Sequence, residues 1–147
     1  MVIETSRFGL LDIEEEQIIS FTGGIPGFKD YERYTIVTIE DSPFQYLQSI
    51  EEGSLAFIIV SPFDFFKEYE FDLPEQLKSE MNISRNDQIQ VYNIVNVHGD
   101  LASATINLAA PVIINTVDRI GIQYIFPNGA YSIHEALFGK HLSAGGE

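Results

Sequence analysis

Val and Ile are abundant in this chain and arrive in short runs cut by Gly, Pro, Asn and Asp. Such runs mark strands, and where apolar and polar residues alternate one face is buried, because successive side chains of a strand point to opposite sides. The pattern predicts strands at 3–13, 18–21, 34–39, 44–49, 56–61, 68–71, 88–97, 103–107, 111–115 and 120–126. In the longest of these, Ile89, Val91, Asn93, Val95 and Val97 share one face, and Gln90, Tyr92, Ile94 and Asn96 the other. His98-Gly99-Asp100 between two such runs predicts a tight hairpin. The spacing is that of an antiparallel barrel or sandwich. One helix interrupts it: Leu73, Leu77 and Met81 repeat every four residues, with Asp72 as its cap and Pro74 in its first turn. A second helical turn is expected at 132–138. The predicted fold is therefore all-β, a β-rich, antiparallel, barrel-like single domain over residues 1–140 with one or two short helices. A small polar tail at 141–147 is expected to be flexible.

Composition narrows what such a domain can do. The 147 residues include no Cys, which excludes disulfides, thiol chemistry and cysteine-bound metal. Lys and Arg total 8 against 22 Asp and Glu, a formal charge of −14. A chain that acidic is repelled by nucleic acid and by anionic membranes, and its favoured partners are basic proteins or cations. The negative charge is concentrated in residues 1–80, which hold 17 acids against 5 bases. Glu14-Glu15-Glu16, Glu40-Asp41 and Glu51-Glu52 fall at expected turns, where they keep the surface soluble. Glu68, Glu70 and Asp72 instead alternate along one expected strand face beside Phe63, Phe65 and Phe66, a patch with both charge and apolar anchors. No signal-like or membrane-spanning apolar run is present, so the expected location is the cytoplasm. Without a secretion signal, the sequon at Asn82 carries no weight.

Motifs of chemistry are missing or broken. His134-Glu135 opens like a zinc helix, but Phe138 stands where the second imidazole is required. His98 and Asp100 read as a hairpin pair, and no Gly-x-Ser-x-Gly elbow is present. Gly23-Gly24-Ile25-Pro26-Gly27-Phe28 lacks the Lys-Ser/Thr of a phosphate loop, and reads as a turn needing positive φ. No calcium-loop spacing occurs. Neither enzyme activity nor cofactor nor metal is expected. A hydrolase built on some unrecognised carboxylate pair is a competing reading, and a generic acidic binding or chaperone module is another.

Three strings in order resemble one family. They are Gly24-Ile25-Pro26-Gly27-Phe28; Ser61-Pro62-Phe63 running on through Tyr69-Glu70-Phe71-Asp72-Leu73-Pro74; and Asn107-Leu108-Ala109-Ala110-Pro111-Val112-Ile113-Ile114-Asn115. Together, over residues 1–133, they resemble the flagellar assembly factor FliW. The resemblance implies a non-enzymatic, β-barrel-like bacterial regulator with two partners. One is flagellin; the other is CsrA, a dimeric RNA-binding repressor of flagellin translation. Free regulator would bind CsrA and relieve repression, and accumulating flagellin would sequester it. The charge suggests how: acids docked beside the RNA path would repel RNA without occupying its site. Phe63, Phe65, Phe66 and Tyr69 are the expected apolar anchors, and Glu68, Glu70 and Asp72 the expected charges. Asn107, Pro111 and Asn115, in the family-like string, are expected to form an exposed edge, since proline cannot donate within a central ladder. The assignment of contacts to CsrA or to flagellin stays open.

Overall fold

The computed structural model describes residues 1–127 and 129–138. The expected tail at 141–147, and residues 139–140 of the expected domain, lie outside the described residues. The strands are β1 (Val2–Thr5), β2 (Gly9–Asp12), β3 (Ile19–Ser20), β4 (Arg33–Thr38), β5 (Gln45–Ser49), β6 (Ala56–Val60), β7 (Ile89–His98), β8 (Asp100–Ile106), β9 (Val112–Asn115), β10 (Ile120–Gln123) and β11 (Glu135–Ala136). One α-helix, α1 (Glu75–Glu80), lies between β6 and β7.

Seven strands close into a barrel in the order β7-β6-β5-β4-β3-β10-β9, with β9 returning to β7. Closure depends on two junctions. The first half of β7 pairs with β9, from Ile89 opposite Asn115 to Tyr92 opposite Val112. The second is a short parallel contact of Ile120 with Ser20, the exception in an otherwise antiparallel barrel. Beyond Tyr92, β7 leaves the barrel seam and pairs with β8, which carries β11 on its far side. A flap of sheet is thereby built onto the barrel wall. The expected hairpin at Gly99 turns its tip, with φ +91° at the glycine and His98 opposite Asp100.

Inside the barrel pack Ile19, Phe21, Ile25, Tyr34, Leu47, Ile59, Tyr92, Val112 and Ile114. β9 is buried on both faces: Val112 and Ile114 enter this core, while Ile113 packs outside against Leu77, Met81 and Ile83 of the α1 region. This is why four successive residues of β9 are buried. A further core, including Val60, Tyr69, Val95, Ile106, Leu108 and Leu137, lies under the flap. Gly121 is required where β10 passes the core, because a Cβ there would stand 2.5 Å from the ring of Phe21.

Several elements differ from the sequence pattern. The run 3–13 is not one strand but the hairpin β1–β2, which forms its own two-stranded sheet. Thr5 breaks the run: its Oγ1 accepts from Phe8 N and donates to Gly9 O, closing the turn. The 132–138 segment is not helical; it holds β11, because Glu135 and Ala136 find open backbone groups on β8. Asp72 does not cap α1. Pro74 occupies that position, and no side chain caps the helix. The run 68–71 is not a strand, since the chain there pairs with no neighbouring strand.

Candidate partner-binding face

After β6 the chain makes a 3-10 turn at Pro62–Asp64 and then a turn through Lys67 and Glu68. From Tyr69 to Leu73 its burial alternates although it joins no sheet. Tyr69, Phe71 and Leu73 turn inward; Glu70 and Asp72, with Glu68 before them, are exposed. The predicted row of outward acids is therefore present without the predicted strand. Buried rings, rather than a ladder, hold it in place.

Tyr69 is the main pin. It is 4% exposed, and its hydroxyl donates to Leu108 O at 2.7 Å. The same oxygen accepts from Asn93 Nδ2 at 3.3 Å, and Asn93 Nδ2 also donates to Asn107 O at 2.7 Å. Burial pushes the Tyr69 phenol up to about 12, so it remains a neutral donor. Phe65 packs edge-on against Phe138 at 5.8 Å and near Phe44 at 6.5 Å, and Phe66 is half-buried in the same core. Of the four expected anchors, Phe63 is open to solvent at 44% exposure. Its ring lies 6.1 Å from that of Tyr69. Tyr69 is thus a support of the face, and Phe63 its accessible aromatic.

The expected exposed edge at Asn107, Pro111 and Asn115 is not there. Pro111 is buried immediately before β9, and Asn115 is fully buried at its end. β9 is flanked by β10 and β7 and has no open side. Proline is accommodated because it precedes the first ladder position. Asn115 Nδ2 donates to Met81 O at 2.7 Å and, more weakly, to Asn82 O at 3.4 Å. Its Oδ1 accepts from Val117 N and Asp118 N. Asn107 Oδ1 similarly accepts from Ala109 N. These amides are local brackets that tie loops to strands.

The string at 107–115 does contribute to a surface feature. Asn107, Ala109 and Ala110 floor an apolar groove of about 440 Å³, whose walls include Ile25 and Pro26 from the Gly-rich turn. Ile125 and Ile133 stand on its rim, 58% and 56% exposed. Two strings far apart in sequence therefore meet at one groove. A separate recess of about 360 Å³ lies where Phe63, Glu70 and Asp72 meet Lys78 of α1. Sequence reasoning missed Phe126 and Tyr131, whose rings border both the groove and the acidic row. No pattern signal marked them: both lie beyond β10, which ends at Gln123, and Phe126 is held beside the groove by its N–H, which donates to Ala109 O at 2.9 Å. Among the described residues no three His, Cys, Asp or Glu side chains are grouped to hold a metal ion. No helix among them is long and apolar enough to cross a membrane.

Comparison with known proteins places this arrangement. The FliW protein family matches residues 2–137. The chain belongs to the FliW family. It is 39% identical over 137 residues to the flagellar assembly factor FliW of Caldicellulosiruptor saccharolyticus, covering 93% of this chain and 90% of that one. It is also 39% identical over 141 residues to the flagellar assembly factor FliW of Bacillus subtilis, covering 95% and 99%. A crystal structure of the flagellar assembly factor FliW superposes with a TM-score of 0.88 at 34% identity, over 95% of this chain and 99% of that one. The all-β barrel read from the sequence is the FliW fold. The family match extends through β11, four residues beyond the stretch covered by the resemblance.

Proposed function

We propose that this FliW-family chain is a non-enzymatic cytoplasmic regulator that binds the translational repressor CsrA, antagonises its RNA binding, and is itself sequestered by flagellin. The observation that carries the reading is the exposed row of Glu68, Glu70 and Asp72 beside the open ring of Phe63, on a chain of charge −14. An RNA-binding repressor must present basic side chains to phosphates, and an acidic row docked beside that surface lowers its affinity for RNA without occupying the RNA site. Repulsion of RNA then needs proximity, because charges are screened beyond about 8 Å at physiological ionic strength. The mechanism is non-competitive: the open ring of Phe63 anchors the repressor while the acids raise the cost of RNA beside it. Flagellin is assigned to the apolar groove floored by Ala109 and Ala110, which suits an apolar segment better than a basic one.

The test is a titration of the chain into a preformed complex of CsrA and flagellin leader RNA, repeated with flagellin and at two salt concentrations. RNA release that flagellin reverses, and that weakens at high salt, is the expected result. Equal release at low and high salt would refute the electrostatic mechanism. Absence of both RNA release and direct CsrA binding by calorimetry would leave a generic acidic binding module as the better reading.

A further inference from the structure

Glu70, Phe71 and Asp72 also border a recess of about 390 Å³ whose remaining walls include Tyr124, Phe126 and Tyr131. Four aromatic side chains and two carboxylates therefore line one cavity. The rings form a connected set: Phe71 to Phe126 is 5.2 Å between centroids, Tyr124 to Phe126 is 5.5 Å, and Phe126 to Tyr131 is 5.8 Å. Tyr131 is fastened to the acidic row. Its hydroxyl donates to Glu70 O at 2.9 Å and accepts from Glu70 N at 3.3 Å. The carboxylate rim and the aromatic wall are thus held in fixed relation.

The charge of this recess is uncompensated among the described residues. No Lys, Arg or His lines it, and neither Glu70 nor Asp72 takes part in an ion pair. Lys78, in the neighbouring recess, holds its ammonium 3.6 Å from Glu75. The lining chemistry selects a ligand. A neutral apolar group would fit the rings but would desolvate two carboxylates without pairing them. An anion would be repelled. A cation satisfies both, since aromatic faces and carboxylates attract positive charge. A guanidinium fits better than an ammonium, because it is planar, weakly hydrated, stacks on rings and forks onto a carboxylate.

We propose that the recess lined by Phe71, Tyr124, Phe126 and Tyr131, with Glu70 and Asp72 at its rim, receives a single arginine side chain of a basic protein partner. The proposal rests on the reading of this face as the one that meets a basic partner, and it names the group that anchors there. The test titrates the N-acetyl N-methylamides of arginine, lysine and citrulline into the full chain, with the ring protons observed by NMR. Citrulline has the shape of arginine without its charge.

The arginine compound should give saturable shifts at Phe71, Tyr124, Phe126 and Tyr131, with citrulline about tenfold weaker and lysine intermediate. The double variant Glu70→Gln/Asp72→Asn, altered at two exposed positions, should weaken arginine about fivefold while leaving the spectrum folded. Equal binding of citrulline, shifts confined to other rings, or an unchanged affinity of the double variant would overturn the recess. Lysine binding as tightly as arginine would overturn the assignment to a guanidinium. Binding of intact CsrA is measured in parallel. If CsrA binds but arginine does not, the recess is refuted and the proposed function stands. If arginine binds but CsrA does not, the recess stands and the proposed partner is removed.

Discussion

Replacing Asn115 by Ala separates a structural bracket from a partner contact. Asn115 is fully buried, and its amide bridges β9 to the residues that follow α1 through Met81 O at 2.7 Å. Its Oδ1 accepts from Val117 N at 2.9 Å and Asp118 N at 3.1 Å. Truncation leaves the Met81 carbonyl without its side-chain partner, and an unsatisfied buried acceptor costs about 1–3 kcal/mol. Val117 and Asp118 are exposed, so water can replace the bonds to their amides at smaller cost. Together these suggest a loss of about 2–4 kcal/mol, a large share of the roughly 5–15 kcal/mol that holds a domain together. With a urea slope of about 2 kcal/mol/M, the unfolding midpoint should fall by about 1–2 M. A midpoint for Asn115→Ala within 0.2 M of the parent, with partner binding abolished, would refute the bracket and restore Asn115 as a contact residue.

Gly121→Ala should destabilise by about 1–3 kcal/mol in the same urea assay, because its Cβ would press on a Phe21 ring locked edge-on to Tyr34 at 5.3 Å. Tyr69→Phe keeps the ring but removes the donor to Leu108 O, and should cost about 1–3 kcal/mol. Its distinguishing readout is faster amide exchange across 65–71, where the other loops stay unchanged. Glu51 accepts from Glu32 N and Arg33 N, and these bonds hold its carboxyl below the usual 4.5. Its stabilisation is present above the unfolded pKa and disappears as pH falls through the lowered folded value. In Glu51→Gln the midpoint should therefore change less between about pH 5 and pH 3 than in the parent, as urea titrations at each pH would report.

Local pattern was enough to specify most of the barrel. Short apolar and aromatic runs between turn formers mark Arg33–Thr38, Gln45–Ser49 and Ala56–Val60 as strands, and alternation marks Ile89–His98. The hairpin at Gly99 was legible because a tight turn there needs a residue that tolerates positive φ. The outward acids at 68, 70 and 72 were legible as well, since charged residues between aromatic ones stay exposed whether or not the segment joins a sheet.

What the sequence could not determine were the partners of each segment. Glu135 and Ala136 became strand because β8 left an open edge, a fact held in residues some thirty positions earlier. Asn115 looked like an exposed polar position, but burial of a polar group depends on whether bonding partners converge on it, and Met81, Val117 and Asp118 do so only in the fold. Tyr69 and Phe63 are alike as aromatic letters. Only the packing of Asn93 and Leu108 made one a support and left the other accessible. The sequence alone determined an acidic β-barrel with an acidic row beside aromatics. The tertiary structure decided which rings reach solvent, because exposure is a property of neighbours and neighbours distant along the chain are set by closure of the barrel.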